Sequence, residues 1–87
     1  MVLERFRVPG AVDVYRRARD RGRMLPDGVK YVSSWVDMDF ARCWQLMEAD
    51  NARALEPWIA KWRDLAEFDV IPVRTSAEAA EAIKPKL

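Results

Sequence analysis

The chain has 87 residues, 51% of them hydrophobic and 33% charged, enough for one domain and too few for two. Its 15 Lys and Arg against 14 Asp and Glu leave a net charge of +1, which excludes a strongly basic nucleic-acid binder and an acidic tail as organising themes. With one Cys and no His, a protomer forms no internal disulfide, assembles no Cys/His zinc site and offers no imidazole for acid-base or metal chemistry.

In chain order, Val2 to Arg7 alternates Val2, Glu4 and Phe6 against Leu3, Arg5 and Arg7 and stops at Pro9-Gly10, the pattern of a short strand closed by a turn. Ala11, Val14, Tyr15, Ala18 and Gly22 mark one face of a helix, with Asp13 four residues before Arg17 as an ion pair and Gly22 as the stop. Pro26-Asp27-Gly28 is a turn with a mechanism, since Pro presets φ and Gly tolerates φ > 0. Val29 to Val36 is rich in β-branched and aromatic residues, with Val29, Tyr31, Ser33 and Trp35 expected on one side and Lys30, Val32, Ser34 and Val36 on the other. Arg42 to Ala49 forms a hairpin with it; Trp35 faces Trp44 or Cys43 depending on register, and a slip of one residue exchanges the faces.

Asp50 or Asn51 caps a second helix with the stripe Leu55, Trp58, Ile59, Trp62, Leu65, provided Pro57 lies in its first turn behind a 3₁₀ turn. Glu67 to Arg74 reads as a last strand, at a sheet edge because of Pro72. Ser76 caps a short terminal helix, frayed or docked through Ile83 and Leu87. The order is β-α-β-β-α-β plus a helix, which predicts an α+β ferredoxin-like sandwich: a four-stranded antiparallel sheet with two helices on one face, first and third strands central. The expected division is residues 1–75 for this domain and 76–87 for a helical tail.

Large apolar side chains fall on both sides of the sheet, so its open face needs a cover, and the simplest cover is a second copy of the chain. No window approaches the ~18 apolar residues of a membrane span, and Glu4 and Arg5 stand where a signal peptide is apolar. The chain is expected in the cytoplasm, with no membrane and no nucleic acid as partner.

Chemistry concentrates in Arg42-Cys43-Trp44-Gln45-Leu46-Met47-Glu48, where Trp44, Leu46 and Glu48 share one strand face and Cys43, Gln45 and Met47 the other. A carboxylate or amide in such a strand is expensive to bury unpaired. One reading is a pocket between sheet and helices where Glu48 or Gln45 meets Arg5, Tyr31 and Trp35; the other pairs Glu48 with Arg5 or Lys30 across the sheet. Cys43 lacks a His or CxxC companion and reads as a small buried thiol. Tyr31, Trp35, Trp44, Trp58 and Trp62 either stack a planar ligand or fill the core. The run Arg16, Arg17, Arg19, Arg21 reads as a solvated face with ion pairs, whereas Arg23, beside Met24-Leu25, stands where it attracts an anion to a pocket mouth. Asp37 and Asp39 are turn formers rather than metal ligands, and no metal or cofactor is expected.

Glu4-Arg5-Phe6, Gly22-Arg23-Met24-Leu25-Pro26, Tyr31 with Ser34-Trp35, Arg42-Cys43 with Gln45-Leu46-Met47-Glu48, Trp58-Ile59-Ala60 with Trp62, and Glu67-Phe68 with Pro72-Val73 together resemble the domain-of-unknown-function family 3303 over nearly the whole chain. Trp44 and Pro57 depart from its pattern. The resemblance implies the architecture of the dimeric α+β barrels, a superfamily with cofactor-independent monooxygenases, isomerases and haem-degrading enzymes, and a homodimer; it supplies no reaction.

The expected function is binding of a small organic or anionic molecule between sheet and helices, with Arg5, Arg23, Tyr31, Trp35, Trp44, Gln45, Glu48 and Trp58 as ligand residues. The alternatives are a cofactor-independent monooxygenase or isomerase with Glu48 or a Tyr31-assisted water as its base, and a structural or regulatory assembly module. A solvent-accessible cavity beside Tyr31, Trp35 and Glu48 separates the first two from the third.

Overall fold

The structure, a computed structural model, describes residues 1–7 and 10–87, so Pro9 of the expected first turn lies outside the described residues. The chain is an α+β protein with a four-stranded antiparallel sheet and three α-helices. Its elements are β1 (Val2–Phe6), α1 (Ala11–Arg21), β2 (Lys30–Val36), β3 (Arg42–Glu48), a 3₁₀ turn (Ala52–Leu55), α2 (Glu56–Ala60), β4 (Ala66–Val70) and α3 (Ser76–Ile83).

The strand order is β2-β3-β1-β4, with the first and third strands central, as expected. β1 sets Glu4 opposite Cys43 on one side and Phe68 on the other, and β3 sets Trp44 opposite Trp35. That register places Val2, Glu4, Phe6, Cys43, Gln45 and Met47 on one face and Leu3, Arg5, Trp44, Leu46 and Glu48 on the other. The strict alternation expected for β2 does not hold. A bulge between Tyr31 and Ser33 shifts the phase, so Tyr31, opposite Met47, shares the inner face with Ser34 and Val36, while Ser33 and Trp35 point outward.

α1 and α2, with the 3₁₀ turn before α2, cover the inner face. Val2, Leu55, Trp58, Ile59 and Trp62 form the buried core, with Val14, Ala18, Met47, Phe68 and Val70 packed against it. Trp58 meets Phe68 edge-on, ring centroids 5.5 Å apart and planes at 76°, a geometry the ring quadrupoles favour. α2 ends at Ala60, short of the expected stripe: Lys61 N–H and Trp62 N–H bond three residues back, to Trp58 and Ile59, so the chain tightens while Trp62 stays buried. Pro57 does sit in the first turn of α2 behind the 3₁₀ turn, whose cap is Asn51 accepting from Ala54 N–H. Gly28, at φ 83°, completes the Pro26 turn, where Val29 N–H donates to the Pro26 carbonyl at 3.3 Å.

Three local expectations are corrected. Asp13 pairs with Arg16, not Arg17, because Arg17 reaches across to Asp64 through two bonds of 2.8 and 2.6 Å and also donates to the Lys61 carbonyl, tying α1 to the turn after α2. Pro72 lies beyond β4, which ends at Val70; the strand is an edge because it pairs with β1 alone. The cap of α3 is Thr75 rather than Ser76: its hydroxyl accepts from Glu78 N–H while the Glu78 carboxylate accepts from Thr75 N–H. α3 buries none of its residues, and Ile83 and Leu87 are exposed.

Candidate functional site

Between the inner sheet face and the helices lies a cavity of about 190 Å³. A cavity of ~150 Å³ accepts benzene, so this one has room for a single ring with a substituent. α1 contributes Val14, Tyr15 and Ala18, the following loop Arg23, α2 and its exit Trp58 and Trp62, and the sheet Glu4, Phe6, Ser34, Val36, Cys43 and Gln45.

Glu4 is the central feature. It is buried on a central strand, where Gln45 Nε2 donates to its Oε1. Loss of water pushes its carboxyl up from 4.5 to about 7; the Gln45 bond and the positive charge of Arg23 pull the other way without cancelling the cost. The cavity therefore contains a carboxyl able to hold or release a proton near neutrality.

Two further polar atoms are buried with no partner among the described residues: Gln45 Oε1, an acceptor, and Trp58 Nε1–H, a donor. Both residues line the cavity, and burying an unpaired donor or acceptor costs about 1–3 kcal/mol each. By contrast, Trp62 Nε1 donates to the Arg23 carbonyl at 3.1 Å. The Arg23 guanidinium stacks on the Tyr31 ring, 3.6 Å from its centre, and Tyr31 Oη shares a 2.7 Å hydrogen bond with Ser34 Oγ. Burial, with Glu4 nearby, pushes the Cys43 thiol up to about 12, so it is a neutral wall group rather than a nucleophile.

Of the residues expected at a site, the structure brings Arg23, Gln45 and Trp58 to this cavity and places Tyr31 beside it under Arg23. It does not bring Arg5, Trp35, Trp44 or Glu48 there; their register sets them on the opposite face of the sheet. On that face Arg5 pairs with Asp69, Arg42 lies 5.3 Å from the Trp44 ring centre, and Glu48 stands opposite Lys30. The cavity sought beside Tyr31, Trp35 and Glu48 thus lies on the Tyr31 side of the sheet, away from Trp35 and Glu48. Asp37 acts as a turn former: its carboxylate accepts from the backbone N–H groups of Ala41 and Arg42, and these bonds hold it below the usual carboxylate range. Among the described residues no group of three or more His, Cys, Asp or Glu could hold a metal ion, and no helix is long and apolar enough to cross a membrane.

The family described as a domain of unknown function (DUF3303) matches residues 1–87, the whole chain. The chain belongs to this family. Among curated proteins and among solved structures, nothing matches it. In this DUF3303 chain the residue that sequence reasoning passed over is Glu4. The signal was present: Glu4 alternates with Val2 and Phe6, so a carboxylate stood on an apolar strand face.

Proposed function

We propose that this chain binds one small organic molecule in the cavity between sheet and helices, with Glu4 and Gln45 reading a polar group of the ligand. The observation that carries the reading is the pair of orphaned buried atoms, Gln45 Oε1 and Trp58 Nε1, both on residues that line the same cavity as Glu4. A ligand group that donates to one and accepts from the other relieves both. A fragment screen read by thermal shift tests it, since a molecule that prefers the folded state raises the melting midpoint. Gln45→Leu should abolish the response to the hits; a screen with no hits, or hits that bind Gln45→Leu equally, refutes the reading.

An enzyme is the second reading, favoured by the carboxyl of Glu4 at about 7. In a cofactor-independent oxygenase or isomerase the base is then Glu4, since Glu48 faces away from the cavity. Glu4→Gln keeps the shape and removes the proton: turnover falls in an enzyme, while affinity in a pure binder changes modestly.

A ferredoxin-like subunit paired into a dimeric α+β barrel is the assembly that fits this reading. The strand order supports the first part, and the outward Leu3, Trp35, Trp44 and Leu46 support the second, because an apolar patch within a sheet face calls for a cover. A cytoplasmic location, with Cys43 reduced, belongs to the same proposal, as does the division into a domain of residues 1–75 and a tail of 76–87. An assembly module without a ligand is the weaker account, since it leaves Gln45 and Trp58 unexplained.

A further inference from the structure

We infer that the ligand is a compact monocarboxylate, one ring in size with a hydroxyl on its body, and that Arg23 grips its carboxylate at the cavity mouth; this rests on the binding reading above. Arg23 is held at both ends. Its carbonyl is fixed by Trp62 Nε1 at 3.1 Å, and its guanidinium lies on the face of Tyr31, whose hydroxyl is anchored to Ser34. Stacking covers the flat face of a guanidinium and leaves its N–H edge free, the edge that takes a carboxylate through two parallel bonds.

Elsewhere on the chain Arg5, Arg17 and Arg42 spend their charge on Asp69, Asp64 and Asp37, whereas Arg23 forms no ion pair among the described residues. It is exposed, beside an opening whose interior is mostly apolar. A lone, positioned cation at the entrance of an apolar cavity matches a ligand with one negative charge and a hydrophobic body. A dianion such as a phosphate monoester fits poorly, since only one guanidinium is at hand and a carboxyl lies deeper in. The unpartnered groups on the lining residues are an acceptor on Gln45 and a donor on Trp58, and a hydroxyl is the smallest group able both to donate and to accept. The volume of about 190 Å³ limits the body to about one ring.

The test compares 3- and 4-hydroxybenzoate with the corresponding hydroxybenzamides, which keep the shape and lose the charge. Binding is read from tryptophan fluorescence, since Trp58 and Trp62 line the cavity, and from the thermal midpoint. At least one acid should bind saturably, and its amide at least about tenfold more weakly. Arg23→Gln, at an exposed position and checked for an unchanged circular dichroism spectrum, should lower the acid's affinity at least about tenfold and the amide's by much less; Arg23→Lys should recover part of the loss. Equal binding of acid and amide, an unaltered acid affinity in Arg23→Gln, or no saturable binding of either acid at millimolar concentration overturns the inference. If the acids fail while a neutral fragment from the broad screen still needs Gln45, the binding reading stands and this inference falls.

Discussion

Glu4 and Gln45 lie diagonally across the two central strands, Glu4 opposite Cys43 and Gln45 opposite Val2, and the Gln45 amide donates to the Glu4 carboxylate on the helix-covered face. A carboxyl in that position is held by the sheet itself rather than by a loop, so its surroundings are rigid and its proton equilibrium is a property of the fold.

That equilibrium makes stability depend on pH in a direction opposite to that of an ordinary surface carboxylate. The folded chain keeps the Glu4 proton up to about 7, whereas the unfolded chain releases it near 4.5. The contribution of Glu4 is therefore fully present below 4.5 and is lost as pH rises through about 7, a total of about 3 kcal/mol. Urea midpoints measured from about pH 5 to about pH 8 should decline in the wild type and stay nearly flat in Glu4→Gln. Equal slopes in the two proteins would show that Glu4 does not titrate in this way. Asp64, held below the usual carboxylate range by Arg17, acts at lower pH and does not enter this window.

Cys43 should be inert in the native protein. Its thiol is pushed up to about 12 and its side chain is buried, so thiolate is scarce at neutral pH and the sulfur is little exposed. Alkylation by iodoacetamide should be at least about a hundredfold slower in buffer than in strong denaturant. Comparable rates would mean that the wall of the cavity opens readily.

Two glycines at positive φ should differ sharply. A Cβ at Gly10, φ 59°, would lie 1.9 Å from the Arg7 carbonyl oxygen, whereas one at Gly28, φ 83°, meets nothing within 4 Å. Gly28→Ala should cost about 1–2 kcal/mol from the left-handed conformation alone, and Gly10→Ala clearly more, because backbone must also move. Denaturant titrations that rank the two in the reverse order would contradict the turn geometry at Gly10.

The outward tryptophans bear on the proposed dimer. Trp35 is 55% exposed and pairs across the strands with Trp44, whose ring lies near Arg42. Trp35→Lys and Trp44→Glu should each shift the sedimentation mass from two chains to one with little effect on the inner cavity. A wild-type mass of one chain at micromolar concentration would remove the dimer.

Most of the scaffold was legible because periodicity reports burial directly: the stripe Val14, Ala18, the buried set Leu55, Trp58, Ile59, Trp62 and the alternation of β3 all lie where their spacing puts them. The site was half legible. Gln45 and Trp58 stand out as polar or aromatic groups at core positions and Arg23 as a cation beside apolar residues, but the same pattern points to Glu48 rather than Glu4. Both carboxylates follow two apolar residues or sit between them on a strand face, and only the pairing of strands decides which face the helices cover. The bulge in β2 has no glycine or proline to announce it, so the four-residue spacing of Tyr31 and Trp35 predicts one side for both. The missing ion pair between Asp13 and Arg17 has a similar origin, since the stronger partner of Arg17 is Asp64, 47 residues away.

The single extra residue in β2 divides the labour of that strand. Upstream of it Tyr31 turns inward to carry Arg23, and downstream Trp35 turns outward beside Trp44. Without the inserted residue an unbroken zigzag would send both aromatics to one side, and either the platform for Arg23 or the outer tryptophan pair would be lost. Changes on the outer surface and changes around the cavity can consequently accumulate separately on the same seven residues.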